Sequence, residues 1–419
     1  MKKNVLLLVN QMHTGGAQRT VSNLSLALDM EYNTYVAIFN DLGKTDFPTG
    51  GKLIKVKLPF DKKTSQNGTV ARFVRFLALI FKIRSLKKKY KIDVAVSFME
   101  ASNLVNLLSA RKEKTILSVR TNLSAEMKDI ARMRVLLPLV NRLYNKAFRI
   151  VCPSEGVRLD LIQNFSIHPE KVKVFYNFID QALVNKQVNE DINTDFFKQL
   201  FKYPVVINIG RFAFVKGQRY TIECFAKLHE IRPDAKLVLL GDGELKEDLI
   251  NAARNHSLVV CDAVQSQQVA AVSNAQVFFL GAQKNPFRFL AKSNVLVCTS
   301  RYEGFPNVLI EAMACGLPVI STDCPNGPRE ILLSEQEAAT SDNLPCFGKY
   351  GVLMPPVGTT DPADFDSQLW ADTISRVMSP ELNEHYRLQS LARIVDFGKD
   401  VIITDWIRLI NGADQDSFN

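Results

Sequence analysis

The sequence predicts an α/β protein of two Rossmann-like domains with parallel sheets facing a cleft, and three observations predict it. Short apolar runs alternate with longer amphipathic segments along the whole chain. The alternation occurs twice, on either side of a polar stretch near 180–202. Loops rich in glycine and charge follow several of the runs. A strand buried on both faces reads as a continuous apolar run, and regular strand–helix alternation implies a parallel sheet covered on both sides.

In chain order, Val5–Val9, Tyr35–Phe39, Val94–Phe98, Thr115–Val119 and Ile150–Cys152 read as buried strands of the first domain. Val205–Ile209, Lys236–Leu240, Val277–Leu280, Val295–Thr299 and Val319–Ser321 repeat the theme. Gln18–Asp29 and Gly217–Ile231 are among the helical segments between them. The expected organisation is an N-terminal domain over 1–183, a polar linker over 184–202, a second domain over 203–385, and a C-terminal helix within 386–419 that either stays on its own domain or crosses back to the first.

The 419 residues and a 47% hydrophobic share suit a globular protein of two or three domains. Seven scattered Cys form no CxxC pair, which fits reduced thiols in a cytoplasm. The apolar run after Met1-Lys2-Lys3 is too short for a signal peptide, and no stretch approaches the roughly 18–20 apolar residues of a membrane span. The net charge of +9 is unevenly shared: residues 1–150 hold 27 Lys and Arg against 10 Asp and Glu. A basic half calls for an anionic partner. No zinc-finger, helix-turn-helix or RNA-binding aromatic signature is present, so nucleic acid is not the expected one.

Three motifs carry chemistry. Gly15-Gly16 follows the first strand, where a backbone without side chains and a helix N-terminus can approach an anion, although the third glycine of a dinucleotide fingerprint is missing. Gly210-Arg211 and Lys216-Gly217 lie just after the Val205–Ile209 strand, at the end where open α/β sheets bind ligands. A planar guanidinium and a point charge five residues apart suit a diphosphate. The third runs from Ser300 to Ile320 and includes Glu303, Pro306 and Glu311. Pro306 suits a first helical turn, and the amides of Phe305, Asn307 and Val308 then offer a phosphate site. Two carboxylates beside a phosphate repel it unless they bind hydroxyls, which makes sugar and ribose the natural partners of Glu303 and Glu311. The apolar run Ala312-Met313-Ala314-Cys315-Gly316 is a poor setting for a solvated acid at 311.

Together these motifs resemble the family 4 glycosyltransferases, which are retaining enzymes of the GT-B fold. The resemblance covers nearly the whole chain. It is closest to a subgroup carrying the stretch Cys324-Pro325-Asn326-Gly327-Pro328-Arg329-Glu330, and Gly281-Ala282-Gln283-Lys284-Asn285-Pro286 matches that subgroup's loop near the nucleotide base. The resemblance implies transfer of a sugar from a nucleotide-sugar, UDP being the favoured base, to a saccharide on a polyprenyl-diphosphate carrier, in bacterial capsule or O-antigen synthesis. Arg211 and Lys216 would hold the donor diphosphate, Glu303 the sugar hydroxyls, amides near Asn307 the distal phosphate, Glu311 the ribose, and Gly16 would approach the diphosphate. Asn285, Phe305 and Val308 complete the implied donor set. Where many relatives have a His after an N-terminal-domain strand, this chain has Arg120, so Arg120 or His13 is expected in that role. A GT-B epimerase and a non-catalytic nucleotide-sugar-binding protein remain alternatives.

The segment 70–91 is basic and apolar by turns. Arg75, Lys82 and Lys89 recur every seven residues, with Arg72 close by, while Phe73, Phe76, Leu77, Ile80 and Ile83 form an apolar face. That profile fits an interfacial helix on an anionic membrane, with the protein peripheral on the inner face of the plasma membrane. Asp364-Phe365-Asp366 and Asp414-Gln415-Asp416 have DxD spacing but follow no buried strand. The expected activity therefore uses no metal or other cofactor, the Arg/Lys pair neutralising the diphosphate.

Overall fold

The computed structural model describes residues 2–13, 15–40, 47–58, 69–124, 137–192, 194–358 and 365–412. The chain divides into two units, Met1–Phe178 with Asp400–Asn419, and Ile179–Lys399. The first holds a seven-stranded sheet made of β1 (Asn4–Val9), β2 (Asn33–Ile38), β3 (Lys52–Lys55), β4 (Val94–Phe98), β5 (Lys114–Ser118), β6 (Arg149–Cys152) and β7 (Val172–Val174), in the order β3-β2-β1-β4-β5-β6-β7. Every adjacent pair is parallel. The order reverses between β1 and β4, which makes that edge the topological switch point where such sheets bind ligands.

The second unit has eight strands: β8 (Val205–Ile209), β9 (Lys236–Leu240), β10 (Val260–Asp262), β11 (Val277–Gly281), β12 (Val295–Cys298), β13 (Val319–Thr322), β14 (Cys346–Phe347) and β15 (Val352–Met354). Their order is β10-β11-β9-β8-β12-β13-β15-β14, parallel except for the short β14. Here the switch point lies between β8 and β12. The two sequence motifs richest in charge begin at the carboxyl ends of these two strands.

Two expected boundaries change. The segment 184–202 is not a linker: the helices Gln181–Val188 and Asp195–Leu200 occupy most of it. Asp180 and Thr194 cap them by accepting from the amides of Leu183 and Phe197. Phe196 and Phe197 are buried, edge-on to Phe278 and Phe289. The long C-terminal helix is two helices, Pro380–Arg393 and Lys399–Asn411, separated by a short 3-10 turn at Ile394–Phe397. From Asp400 onward the chain belongs to the first unit. There Trp406 is buried, with its ring centroid 5.3 Å from that of Phe175 in an edge-on contact. Trp406→Ala is expected to cost about 3–5 kcal/mol of unfolding free energy, measured by denaturant titration.

Three helices of the first unit bear on function: α1 (Gly16–Leu28), α2 (Thr69–Lys89) and α3 (Glu100–Leu108). The apolar face expected on α2 divides in two. Leu79, Ile83 and Leu86 are buried in the core, with Phe76 packed against them. Phe73 (60% exposed), Leu77 and Phe81 (69%) face outward together with Val74. The carboxyl end of α2 is pinned from within by Lys87, whose ammonium pairs with Glu113 at 2.8 Å and donates to the side-chain oxygen of Asn106 on α3. Burial lowers the Lys87 pKa to about 8 despite Glu113.

Candidate active site

The site is assembled at the β8/β12 switch point of the second unit. β8 ends at Ile209, and the chain turns through Gly210 and Arg211 into a short 3-10 turn, Phe214–Lys216. The turn is anchored from below by Phe212, fully buried and edge-on to Phe279 at 5.8 Å. The segment Gly241-Asp242-Gly243 after β9 clasps it: Asp242 accepts from the Phe212 amide and Leu240 from the Gly210 amide. Sequence reasoning missed this clasp, whose signal is an acid flanked by glycines just past a buried strand. Arg211 itself is exposed, and its carbonyl accepts from the buried Gln218 amide group.

The loop after β12 is tied to this turn. Thr299 donates to the Gly217 carbonyl at 2.8 Å, and the Arg301 amide donates to the Val215 carbonyl at 2.9 Å. The result brings Lys216 and Glu303, 87 residues apart in sequence, into an ion pair of 2.6 Å. Ser300 donates to the same carboxylate oxygen at 2.7 Å. Burial alone would depress the Lys216 ammonium, but Glu303 outweighs it and holds the pKa above the ordinary lysine value. The neighbouring thiols of Cys298 and Cys324 are pushed up, first by burial and then by Glu303, so they stay protonated.

Beyond Glu303 the chain is buried at Phe305, edge-on to Phe397 at 5.7 Å. Pro306 stands at the cap position rather than in the first turn, and the helix opens at Asn307, spanning Asn307–Ala314. Asn307 and Val308 are half-buried at its start, and Glu311 within it is only 5% exposed. An acid so buried needs polar partners of its own. The segment 324–330 acts as the loop's back wall. Pro325 accepts from the Glu303 amide, and the Asn326 side chain donates to the Glu303 carbonyl at 3.3 Å. Gly327 has φ 97°, and a Cβ there would lie 2.5 Å from Pro306 Cδ. Arg329 is committed to Asp323 and to the Ser341 carbonyl.

Asn285 is placed differently from the expectation. Its NH2 donates to the Gln187 carbonyl and to Glu190, and its oxygen accepts from the Phe287 amide. The side chain braces its loop against the Gln181–Val188 helix and the residues just after it, and is not disposed to read a base.

The first unit supplies the remaining candidates. Gly16 opens α1, after Gly15 at φ 148°. Arg120, just past β5, is 8% exposed. Its guanidinium donates to Asn177, to Thr20 on α1 at 3.4 Å and to Ser118 at 3.5 Å. These acceptors are neutral, and burial lowers the pKa to about 10. His13 is half-buried on the β1–α1 loop. On α2, Arg72, Lys82 and Lys89 are exposed and Arg75 is half-buried. Lys82 donates to the Lys57 carbonyl, and Lys89 lies over the Tyr90 ring. Of the two DxD candidates, Asp364, Asp414 and Asp416 lie outside the described residues. Among the described residues, no three His, Cys, Asp or Glu side chains gather in a metal-like group.

Comparison with known proteins agrees with this architecture. Residues 14–183 match the model described as Glycosyltransferase Family 4, and residues 203–345 the one described as Glycosyl transferases group 1. An uncharacterized glycosyltransferase of Methanocaldococcus jannaschii is 31% identical over 384 residues, covering 87% of this chain and 90% of the relative. The N-acetylgalactosamine-N,N'-diacetylbacillosaminyl-diphospho-undecaprenol 4-alpha-N-acetylgalactosaminyltransferase of Campylobacter jejuni is 26% identical over 410 residues, covering 97% and 99%. Among solved structures, Anabaena HepE in complex with UDP and glucose superposes with a TM-score of 0.70 at 18% identity, over 98% of this chain and 99% of that one. Fold and site thus define a two-domain glycosyl-transferring enzyme. The chain belongs to the family 4 glycosyltransferases of the GT-B fold.

Proposed function

We propose that the protein is a retaining glycosyltransferase that moves a sugar from a nucleotide-sugar, UDP being the favoured base, to a polyprenyl-diphosphate-linked saccharide in bacterial surface-glycan synthesis. The observation that carries this reading is the Lys216–Glu303 pair at the β8/β12 switch point, with the buried Glu311 one helix turn and a loop further on. As the bond between the sugar and the diphosphate breaks, negative charge develops on the departing phosphate oxygen. Lys216 and Arg211 face that charge, and preorganised cations of this kind contribute most when the charge appears. Glu303, held by Lys216 and Ser300, keeps a second oxygen for sugar hydroxyls. Glu311 takes the ribose hydroxyls. Arg120, a buried cation with neutral partners, is assigned to a phosphate of the acceptor or of the leaving nucleotide.

The Campylobacter relatives support the acceptor class, since two of them are named for transfer to undecaprenol-linked saccharides, and the UDP complex of the Anabaena protein supports the base. The two cations replace a metal in this reading, so activity is expected to survive EDTA. A loss restored specifically by manganese would contradict it. The assay that tests the function is transfer from UDP-sugars with and without a polyprenyl-diphosphate-linked acceptor, in which only the complete mixture yields a glycosylated lipid.

No described helix is long and apolar enough to cross a membrane, so contact with a lipid-borne acceptor is assigned to α2. Its outward Phe73, Leu77 and Phe81 enter the interface, and Arg75, Lys82 and Lys89 attract anionic headgroups. Each cation near an anionic leaflet contributes roughly 1 kcal/mol. Changing the three to Glu is expected to lower binding to anionic liposomes by at least about 100-fold and to abolish activity on lipid-linked acceptor, while nucleotide affinity stays the same. Sedimentation of the variant with liposomes as readily as the parent would reduce the helix to a solvated one.

A further inference from the structure

Phe214 is 62% exposed, in the turn between Arg211 and Lys216. Its ring is not idle. The Arg301 guanidinium carbon lies 3.9 Å from the ring centroid. The same guanidinium donates to the Tyr220 hydroxyl at 2.8 Å and to the Gly358 carbonyl at 3.0 Å. Tyr220 in turn packs on Phe365 at 4.8 Å, and Phe365 faces the buried Trp370. A Cβ at 358 would come within 2.6 Å of the Arg301 guanidinium carbon, so a side chain there would push the guanidinium aside. Among the described residues the Arg301 Nε is buried with no acceptor, and the two acceptors of the guanidinium are uncharged. The cation is therefore held by two hydrogen bonds to neutral oxygens on one side and by the face of the Phe214 ring on the other.

We propose that Arg301 and Phe214 are positioning residues that lock the Lys216 turn to the Glu303 loop and thereby set donor affinity. The proposal rests on the donor-site reading given above. Arg301 joins the two segments twice, through its amide on the Val215 carbonyl and through its side chain on Phe214. Val215 precedes Lys216, and Arg301 lies two residues before Glu303. Losing the stack removes the side-chain half of this link and leaves the Arg301 amide and Thr299 bonds in place, so the turn loosens against the carboxylate without unfolding. The exposed phenylalanine thus clamps the arginine and is not a docking surface. No bond is made or broken by either residue.

The test combines UDP affinity by calorimetry with hydrogen exchange of the amides in 211–217, in the parent, Phe214→Ala, Arg301→Ala and the double variant. Each single change is expected to weaken UDP binding about tenfold, or about 1.4 kcal/mol, and to speed exchange in 211–217. The double variant is expected to match the singles rather than lose a hundredfold, because both remove one clamp. Phe214→Tyr, which keeps the ring face, should restore both readouts. Arg301→Lys, which keeps the charge but loses the fork, should not. Unchanged exchange in Phe214→Ala overturns the clamp, and so does faster exchange with unchanged UDP affinity. A parent that fails to bind UDP overturns UDP as the donor's base instead, while exchange still judges the clamp.

Discussion

Lys216→Ala is expected to lower kcat by about 100- to 1,000-fold, the cost of removing one preorganised donor from a developing charge. The more informative result is the double variant. Lys216 and Glu303 share one ion pair, and the ammonium has three N–H groups, enough to hold the carboxylate and a phosphate together. Glu303→Gln removes the anion that fixes Lys216, so it harms diphosphate contact as well as sugar contact. The combined loss is therefore expected to fall well short of the product of the single losses. A coupling of about 0.5–3 kcal/mol is the range for residues in one such network. Steady-state kinetics of the four proteins measure it. Strictly multiplicative losses would mean that the pair does not act as a unit.

Glu311→Ala is expected to act on binding. Hydrogen bonds to a charged group contribute about 1.5–3 kcal/mol each, so losing the ribose contact weakens UDP affinity by roughly 10- to 100-fold. The 2′,3′-dideoxyribose analogue of UDP, which lacks both hydroxyls, serves as a control: it should bind the parent and Glu311→Ala about equally. Unchanged affinity of the variant for UDP would remove Glu311 from the donor site.

The sequence disclosed the architecture because its central strands are buried on both faces. Val5–Val9 is a continuous apolar run and Val205–Ile209 is interrupted only by Asn208, and such runs need no partner to be recognised. The strands not recognised are short or mixed. Lys52–Lys55 carries a lysine at each end, and Val172–Val174 has three residues with a lysine at its centre. The stretch 184–202 looked polar because its apolar residues are few. Its helix signals were Asp180 and Thr194 at cap positions and the Phe196-Phe197 pair, which packs on rings about 80 and 90 residues away. The buried state of Glu311 could be read from its neighbours. The Lys216–Glu303 pair could not, since spacing does not reveal that two strands become adjacent across a topological switch. Asn285 shows the reverse error: a motif position read as ligand-facing is held by Gln187 and Glu190, two residues in the stretch read as a linker. On α2, periodicity found the helix but not which of its two apolar stripes faces the core.

The most direct test of the whole account is the anomeric configuration of the product. The purified protein is incubated with an α-linked UDP-sugar and a polyprenyl-diphosphate-linked saccharide, and the new linkage is read from its anomeric proton coupling by NMR. The account predicts one added sugar in the α configuration, formed without added metal and lost in Glu303→Ala. A β-linked product, or a product that Glu303→Ala forms as fast as the parent, would contradict it.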